Sequence, residues 1–192
     1  MITEAKRALR ATMRQRLAQL DPDRRAEESE RLCRRLEDTA RWRIAETVLG
    51  FVPLPSEPDI WSALLAARRL GRAVYLPRWN AAAGLYQPAL LPEHGRLATG
   101  PFGVPEPDAA AAGLEIEQLD LILVPALAFD RFGRRLGRGR GFYDRLLAQA
   151  SRARKWGVGF DLQIVAEVPA EPHDVMLDLV VTPDRWVPHP AN

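Results

Sequence analysis

The sequence predicts an α/β fold: a three-layer, Rossmann-like sandwich with a largely parallel central sheet, filling all 192 residues (1–192) as a single domain. Three observations predict it. Residues 120–129, DLILVPALAF, form a near-continuous apolar run of strand length, the pattern of a parallel strand buried on both faces. Segments of strand character alternate with segments of helical period, the order that builds parallel sheets covered by helices. The apolar run then leads through a glycine-rich turn into a helical stretch, and in α/β proteins ligands bind where strands end in this way.

The elements follow in order. Leu9, Met13, Leu17 and Leu20 recur at helical spacing across 3–20, and Lys6 and Arg10, four apart, share a face of that helix. Asp21-Pro22 reads as an N-cap with proline at the first helical position. It opens a second, heavily charged helix running to about Trp42, whose alternating signs mark a solvated face. Residues 47–52 read as a short buried strand, 53–58 as a loop, and a helix runs from about Asp59 to Leu70. A second strand covers 73–76 and a further short one lies near 85–90. Proline and glycine dominate 100–113, which reads as a long ordered loop. The strand at 120–129, a helix at 141–153 and strands at 156–160 and 178–182 complete the pattern, and the last eight residues, with Pro188 and Pro190, read as loose.

Composition narrows the classes of function. The chain is 47% apolar and 27% charged, ordinary for a soluble globular protein, and no stretch approaches the roughly 18 apolar residues of a membrane span. The opening Met1-Ile2-Thr3-Glu4 lacks the layout of a secretory signal, and one cysteine, Cys33, cannot form an internal disulfide. Cys33 falls on a helix face and reads as an inert small apolar residue. Together these facts predict a cytoplasmic protein. A net charge of +2 excludes a polycation that seeks nucleic acid through its overall charge. Of 27 basic side chains only Lys6 and Lys155 are lysines, so Lys6 stands apart as a compact ammonium among guanidinium forks.

Residues 134–145, RRLGRGRGFYDR, carry the densest chemistry. Glycine allows positive φ and close approach of a ligand to the amides, free N–H groups at a helix start make an anion site, and arginines add permanent forked cations. The run reads as a polyphosphate cradle, although it lacks the Gly-Lys-Ser/Thr of a P-loop and the dinucleotide fingerprint. An exposed basic turn and a non-specific nucleic-acid contact are the alternatives, the latter weakened by the modest net charge and the absence of a nucleic-acid motif. No Ser-His-Asp or Cys-His set is evident, and three scattered histidines with one cysteine, His173 included, give no zinc spacing.

These residues resemble the 5-formyltetrahydrofolate cyclo-ligase (methenyltetrahydrofolate synthetase) family. Its block GLAFD-x-x-G-x-RLGRGxGYYD is similar to Ala126-Leu127-Ala128-Phe129-Asp130, then Gly133, then 135–144. Lys6-Arg7-Ala8-Leu9-Arg10 resembles its K-x-x-L-R, and 102–107, FGVPEP, its aromatic-G-I-P-E-P. Gln163, Pro169, His173-Asp174 and 178–182 resemble its closing Q…P…HD…D-x-V-V-T, so the matches span 6–182 in order.

The resemblance implies a fold of the NagB/RpiA/CoA-transferase-like type, and an enzyme that converts 5-formyltetrahydrofolate and ATP to 5,10-methenyltetrahydrofolate, ADP and phosphate. No covalent enzyme nucleophile is needed. It implies that Arg135, Leu136, Gly137, Arg138, Gly139, Arg140, Gly141, Phe142 and Tyr143 wrap the ATP phosphates, with Lys6 and Arg10 reaching them from the first helix. Arg138 holds phosphate oxygens and Arg140 neutralises charge developing on the transferred phosphoryl; these are the two catalytic candidates. Asp144 and Asp174 hold Mg²⁺. Val52, Glu57, Trp79, Phe102, Phe142 and Tyr143 line the folate side, where the Glu57 carboxylate suits the amino-pyrimidine edge of a pterin. The implied partners are these small molecules, with no nucleic acid or membrane, and the protein acts as a monomer. Two departures stand out: Phe142 replaces a tyrosine, and Arg140 stands where many relatives carry lysine or glycine. Without the resemblance, Lys6 and Arg10 read as a solvated face, Asp144 as a first-turn helix aspartate, Asp174 as a turn former and Trp79 as core. A non-catalytic nucleotide- or folate-binding protein of the same fold is the competing function.

Overall fold

A computed structural model describes residues 2–93 and 95–188. Helix α1 (Ile2–Ala18) buries Met13 and Leu17 on its apolar stripe. Helix α2 (Pro22–Glu37) starts on the Asp21 carboxylate, which accepts hydrogen bonds from the amides of Asp23 and Arg24. The expected single helix to Trp42 is in fact two. Thr39 turns its hydroxyl onto the Trp42 amide at 3.2 Å and caps a separate α3 (Ala40–Ile44), and the change of direction sends Trp42 into the core.

Strand β1 (Thr47–Leu49) is shorter than expected and leads into α4 (Trp61–Arg69), where the Asp59 carboxylate accepts the Trp61 amide at 2.8 Å. Strand β2 (Ala73–Asn80) outruns its expected length because it pairs to its end with antiparallel β3 (Leu85–Leu90). The Asn80 side chain accepts the amides of Ala82 and Ala83 and closes that turn. Strands β4 (Ala98–Thr99) and β5 (Pro105–Glu106) form a small ribbon at the start of the proline-rich loop.

The apolar run 120–129 also divides. Strand β6 (Leu121–Pro125) belongs to the main sheet, whereas β7 (Ala128–Phe129) pairs with β8 (Arg135–Leu136) in a separate ribbon. The buried Gln163 amide donates to the Ala126 carbonyl at 2.7 Å and so satisfies backbone at the break. Helix α5 (Phe142–Gln149) stops short of residue 153; strands β9 (Arg154–Val158), β10 (Leu179–Val181) and β11 (Trp186–Pro188) follow. Part of the tail expected to be loose is therefore a strand, with Trp186 edge-on to Trp156 at 5.6 Å, while Pro190 lies outside the described residues.

The main sheet runs β11-β10-β9-β6-β1-β2-β3, with its inner five strands parallel and one antiparallel strand at each edge. Side chains alternate across it. Leu121 and Leu123 of β6 join the α2–α4 layer, and Ile122 and Val124 join the α5 layer, all four fully buried. Each such side chain contributes about 1.5–3 kcal/mol, which is why the run reads as continuously apolar. A third cluster packs Met13, Leu17 and Leu20 against Leu127, Leu136, Phe160 and Val168, docking α1 on the β7–β8 ribbon. From β1 the chain proceeds to β2 and β3 on one side, and from β6 to β9 and β10 on the other. The boundary between β1 and β6 is thus the point where strand order reverses, and the connections that leave the carboxyl ends there pass to opposite faces of the sheet, the arrangement that makes a crevice.

Candidate active site

A cavity of about 700 Å³ opens at that crevice. Phe51, Val52, Leu54 and Glu57 enter it from the end of β1, Pro77 from β2, and Pro125 and Ala126 from β6. Lys6, Arg10 and Arg14 descend on one face of α1, and the entire run 135–144 closes another side. The run is not a uniform loop: Arg135 and Leu136 are buried strand residues, and only 137–141 form the connection to α5. Gly139 (φ +104°) and Gly141 (φ +65°) take conformations that side-chain-bearing residues rarely adopt, and Gly141 directly precedes the helix. Of the predicted site residues, only Trp79 does not line the cavity. It stands behind the wall, its amide held by the Glu106 carboxylate at 3.1 Å.

Arg140 apart, each cation of the cavity sits on an acid or a carbonyl. The Lys6 ammonium, buried, bonds to Glu171 Oε2 at 2.8 Å and Asp174 Oδ2 at 2.7 Å. Arg135 donates to the Val175 carbonyl and to Asp144 Oδ1. Burial disfavours its charge, while the Asp144 and Asp174 charges both support it. Arg138 grips Glu57 Oε1 with Nε (3.1 Å) and Nη2 (3.0 Å) and reaches Ser56 Oγ at 2.9 Å. Arg10 Nε donates to the Gly137 carbonyl at 3.0 Å and Arg14 Nη2 to the Arg138 carbonyl at 3.5 Å, tying α1 to the glycine loop. Among the described residues, Asp144 Oδ2 and Asp174 Oδ1 accept no hydrogen bond, so each carboxylate keeps an oxygen for a cation. Magnesium uses one or two carboxylates with phosphate and water, and these residues fit it. Glu171, His173 and Asp174 also bring ligand atoms within 4.8 Å of one another, a grouping that Asp144 does not join.

The Lys6 clamp has a definite pH window. Burial works to raise the Asp174 pKa, but Lys6 and the Glu171 amide outweigh it and hold the carboxyl below its ordinary 3.8. Burial likewise works to lower the Lys6 pKa, and the bonds to Asp174 and Glu171 lift it above its ordinary 10.5. A depressed carboxyl stabilises above its unfolded value and ceases to as pH falls through the folded one; a raised ammonium stabilises below 10.5 and ceases to as pH rises through its folded value. The clamp is therefore intact across neutral pH. Amide hydrogen exchange in α1 is expected to accelerate below about pH 4 once intrinsic rates are removed, and to be fast and flat in Lys6→Met. Acid-insensitive exchange in the parent protein would show that packing alone holds α1.

The opposite side is aromatic. Phe142 lies between Trp79 (5.3 Å), Tyr86 (5.2 Å) and Phe102 (5.0 Å), and the Arg140 guanidinium caps the Phe102 ring at 4.9 Å. Tyr143 faces the cavity from the first turn of α5, and burial pushes its hydroxyl well above the usual range. Tyr86 and Glu171 are cavity residues that the sequence reading missed, and it missed Ser56 too, which stands outside the lining and accepts a hydrogen bond from Arg138. Tyr86 meets Trp79 only because β2–β3 register sets the two opposite each other, and Glu171 meets Lys6 across 165 residues, so no local pattern signals either.

Residues 2–183 match the model of the 5-formyltetrahydrofolate cyclo-ligase family. The chain is 44% identical over 146 residues to 5-formyltetrahydrofolate cyclo-ligase of Mycolicibacterium smegmatis, covering 73% of this chain and 75% of that one. It is 32% identical over 178 residues to the Escherichia coli (strain K12) protein of the same name, covering 90% and 97%. The NMR structure of Aquifex aeolicus 5,10-methenyltetrahydrofolate synthetase superposes with a TM-score of 0.86 at 26% identity, covering 96% of this chain and 93% of that one.

Proposed function

The chain belongs to the 5-formyltetrahydrofolate cyclo-ligase family, and from that premise we propose that it closes 5-formyltetrahydrofolate to 5,10-methenyltetrahydrofolate at the expense of Mg²⁺-ATP. The observation that carries the reading is that one cavity joins a glycine–arginine loop to an aromatic wall, so a polyphosphate and a flat heterocycle can meet in it.

The formyl oxygen is a poor leaving group. Transfer of the γ-phosphoryl of ATP to it breaks the terminal P–O bond, releases ADP and leaves an iminophosphate. The N10 lone pair attacks the formyl carbon, the C–O bond breaks, phosphate departs with the oxygen, and the N10 proton passes to solvent. The protein's task is to align the two substrates and balance charge. Arg138 and the loop amides hold phosphate oxygens, with Lys6 and Arg10 on their α1 side. Arg140, which the aromatic wall keeps near the reacting end, neutralises charge on the transferred group. Glu57 accepts N–H donors of the pterin, and Val52, Phe102, Phe142 and Tyr143 cover its faces, backed by Trp79. Asp144 and Asp174 would hold Mg²⁺, which when bound offsets charge on the phosphates. Among the described residues no serine or cysteine lines the cavity, which suits a route with no covalent enzyme intermediate.

The test is absorbance of the methenyl product on mixing protein, 5-formyltetrahydrofolate and Mg²⁺-ATP. Product is expected only with all components present and with one ADP formed per ring closed. Product formed without ATP, or both ligands bound with no turnover, would overturn the reading, the second outcome in favour of a binding protein.

A further inference from the structure

Glu57 and Arg138 form an ion pair whose two ends are unlike. The Glu57 side chain is 6% exposed and Arg138 37%. Glu57 is fixed: its second oxygen accepts the Leu54 amide at 3.0 Å and its own amide donates to the Leu54 carbonyl at 2.8 Å. Arg138 stands on a connection with Gly137 on one side and Gly139 on the other, and Gly139 has φ +104°. The arginine is therefore the partner free to move, and the carboxylate is the one that cannot be left alone, because a buried charge stripped of its counter-ion is strongly destabilising.

From this asymmetry we infer that Glu57 is a positioning residue for Arg138, releasing it to the nucleotide only when another set of N–H donors takes the carboxylate. The inference rests on the proposed function, in which those donors are the amino-pyrimidine edge of the folate. With the folate side empty, Arg138 stays on Glu57 and Ser56 and nucleotide phosphates lose one cation. When the heterocycle engages Glu57, the exchange leaves the buried charge satisfied and frees the guanidinium for phosphate. Arg140 follows the same rule more weakly, since its cation–π seat on Phe102 is a surface the heterocycle would cover. Each substrate therefore raises affinity for the other, by the same factor in both directions.

The experiment is calorimetric titration of a non-hydrolysable ATP analogue with Mg²⁺, in the absence and presence of saturating 5-formyltetrahydrofolate. In the parent protein the folate is expected to tighten the analogue about tenfold, 1.4 kcal/mol of coupling. Glu57→Gln removes the charge that retains Arg138. The analogue alone is then expected to bind severalfold tighter than to the parent, and the effect of folate to fall within twofold. Arg138→Met is expected to bind the analogue weakly under both conditions and to take folate more tightly than the parent when no nucleotide is present. A merely structural Glu57 would give weaker nucleotide binding in Glu57→Gln, which overturns the inference, as would independent binding in the parent. If the parent turns over without coupling, the exchange is wrong and the proposed function stands. If the parent forms no product, the proposed function falls, and this inference with it.

Discussion

Asp144→Ala is expected to lose both turnover and stability. The Arg135 side chain is 4% exposed and its guanidinium has two partners, the Val175 carbonyl and the Asp144 carboxylate. Removing the carboxylate leaves a buried cation bonded to one carbonyl, with only the more distant charge of Asp174 in support, a loss of about 3–5 kcal/mol. The same aspartate lies in the first turn of α5, close after the glycine loop, and keeps one oxygen for a cation, so turnover should fall by several kcal/mol of charge stabilisation, on the order of a hundredfold or more. Asp144→Asn separates the two effects. Its amide oxygen still accepts from Arg135, so most of the stability should return, whereas the charge that attracts Mg²⁺ does not. The check is a denaturant titration of both variants beside a Mg²⁺ titration of initial rate. Full activity in a well-folded Asn variant at ordinary Mg²⁺ would remove Asp144 from the metal site and leave it as the partner of Arg135.

How much of this was legible in the sequence depends on the range of the interaction. The Asp21-Pro22 cap, the α1 stripe and the glycine run before α5 are local patterns, and each holds in the fold. The division of 120–129 was not legible, since nothing in an apolar run says which residues pair with β9 and which with a ribbon formed later in the chain. The break before α3 was legible only in hindsight, because Thr39 is an acceptable helix residue until its hydroxyl finds the Trp42 amide. At the site, the residue set came from motif resemblance, and its pairing did not. Lys6 with Asp174, Arg135 with Asp144 and Arg138 with Glu57 each join a residue expected at the phosphates to one expected at metal or folate. Sequence reading assigns such groups to ligands one at a time. In the folded chain these charges satisfy one another, and any ligand must compete with those pairs.

Asp130→Ala is expected to destabilise the fold as strongly as Asp144→Ala, from a position outside both the apolar core and the cavity. Its carboxylate is fully buried, and Oδ1 accepts the amides of Phe132 (2.8 Å) and Arg134 (3.1 Å). Oδ2 accepts the amide of Val168, itself fully buried, at 2.9 Å. One side chain thus closes the β7–β8 turn and pins the 165–168 segment to it. Alanine would leave the Val168 amide unpaired away from water and release two turn amides, about 1–3 kcal/mol for the first and a total of about 3–5 kcal/mol. In a chain of this size that lowers the melting temperature by about 10 °C. Asp130→Asn keeps one acceptor but points an NH₂ at an N–H donor, so it should recover only part of the loss. The measurement is urea unfolding, with the midpoint falling and the slope unchanged. Nucleotide affinity should fall as well, although Asp130 does not line the cavity, because β8 carries Arg135 and launches the glycine loop. If stability drops while affinity for Mg²⁺-ATP stays at the parent value, the ribbon is a support for the core alone, and the loop takes its position from the contacts of Arg10 and Arg14 on α1.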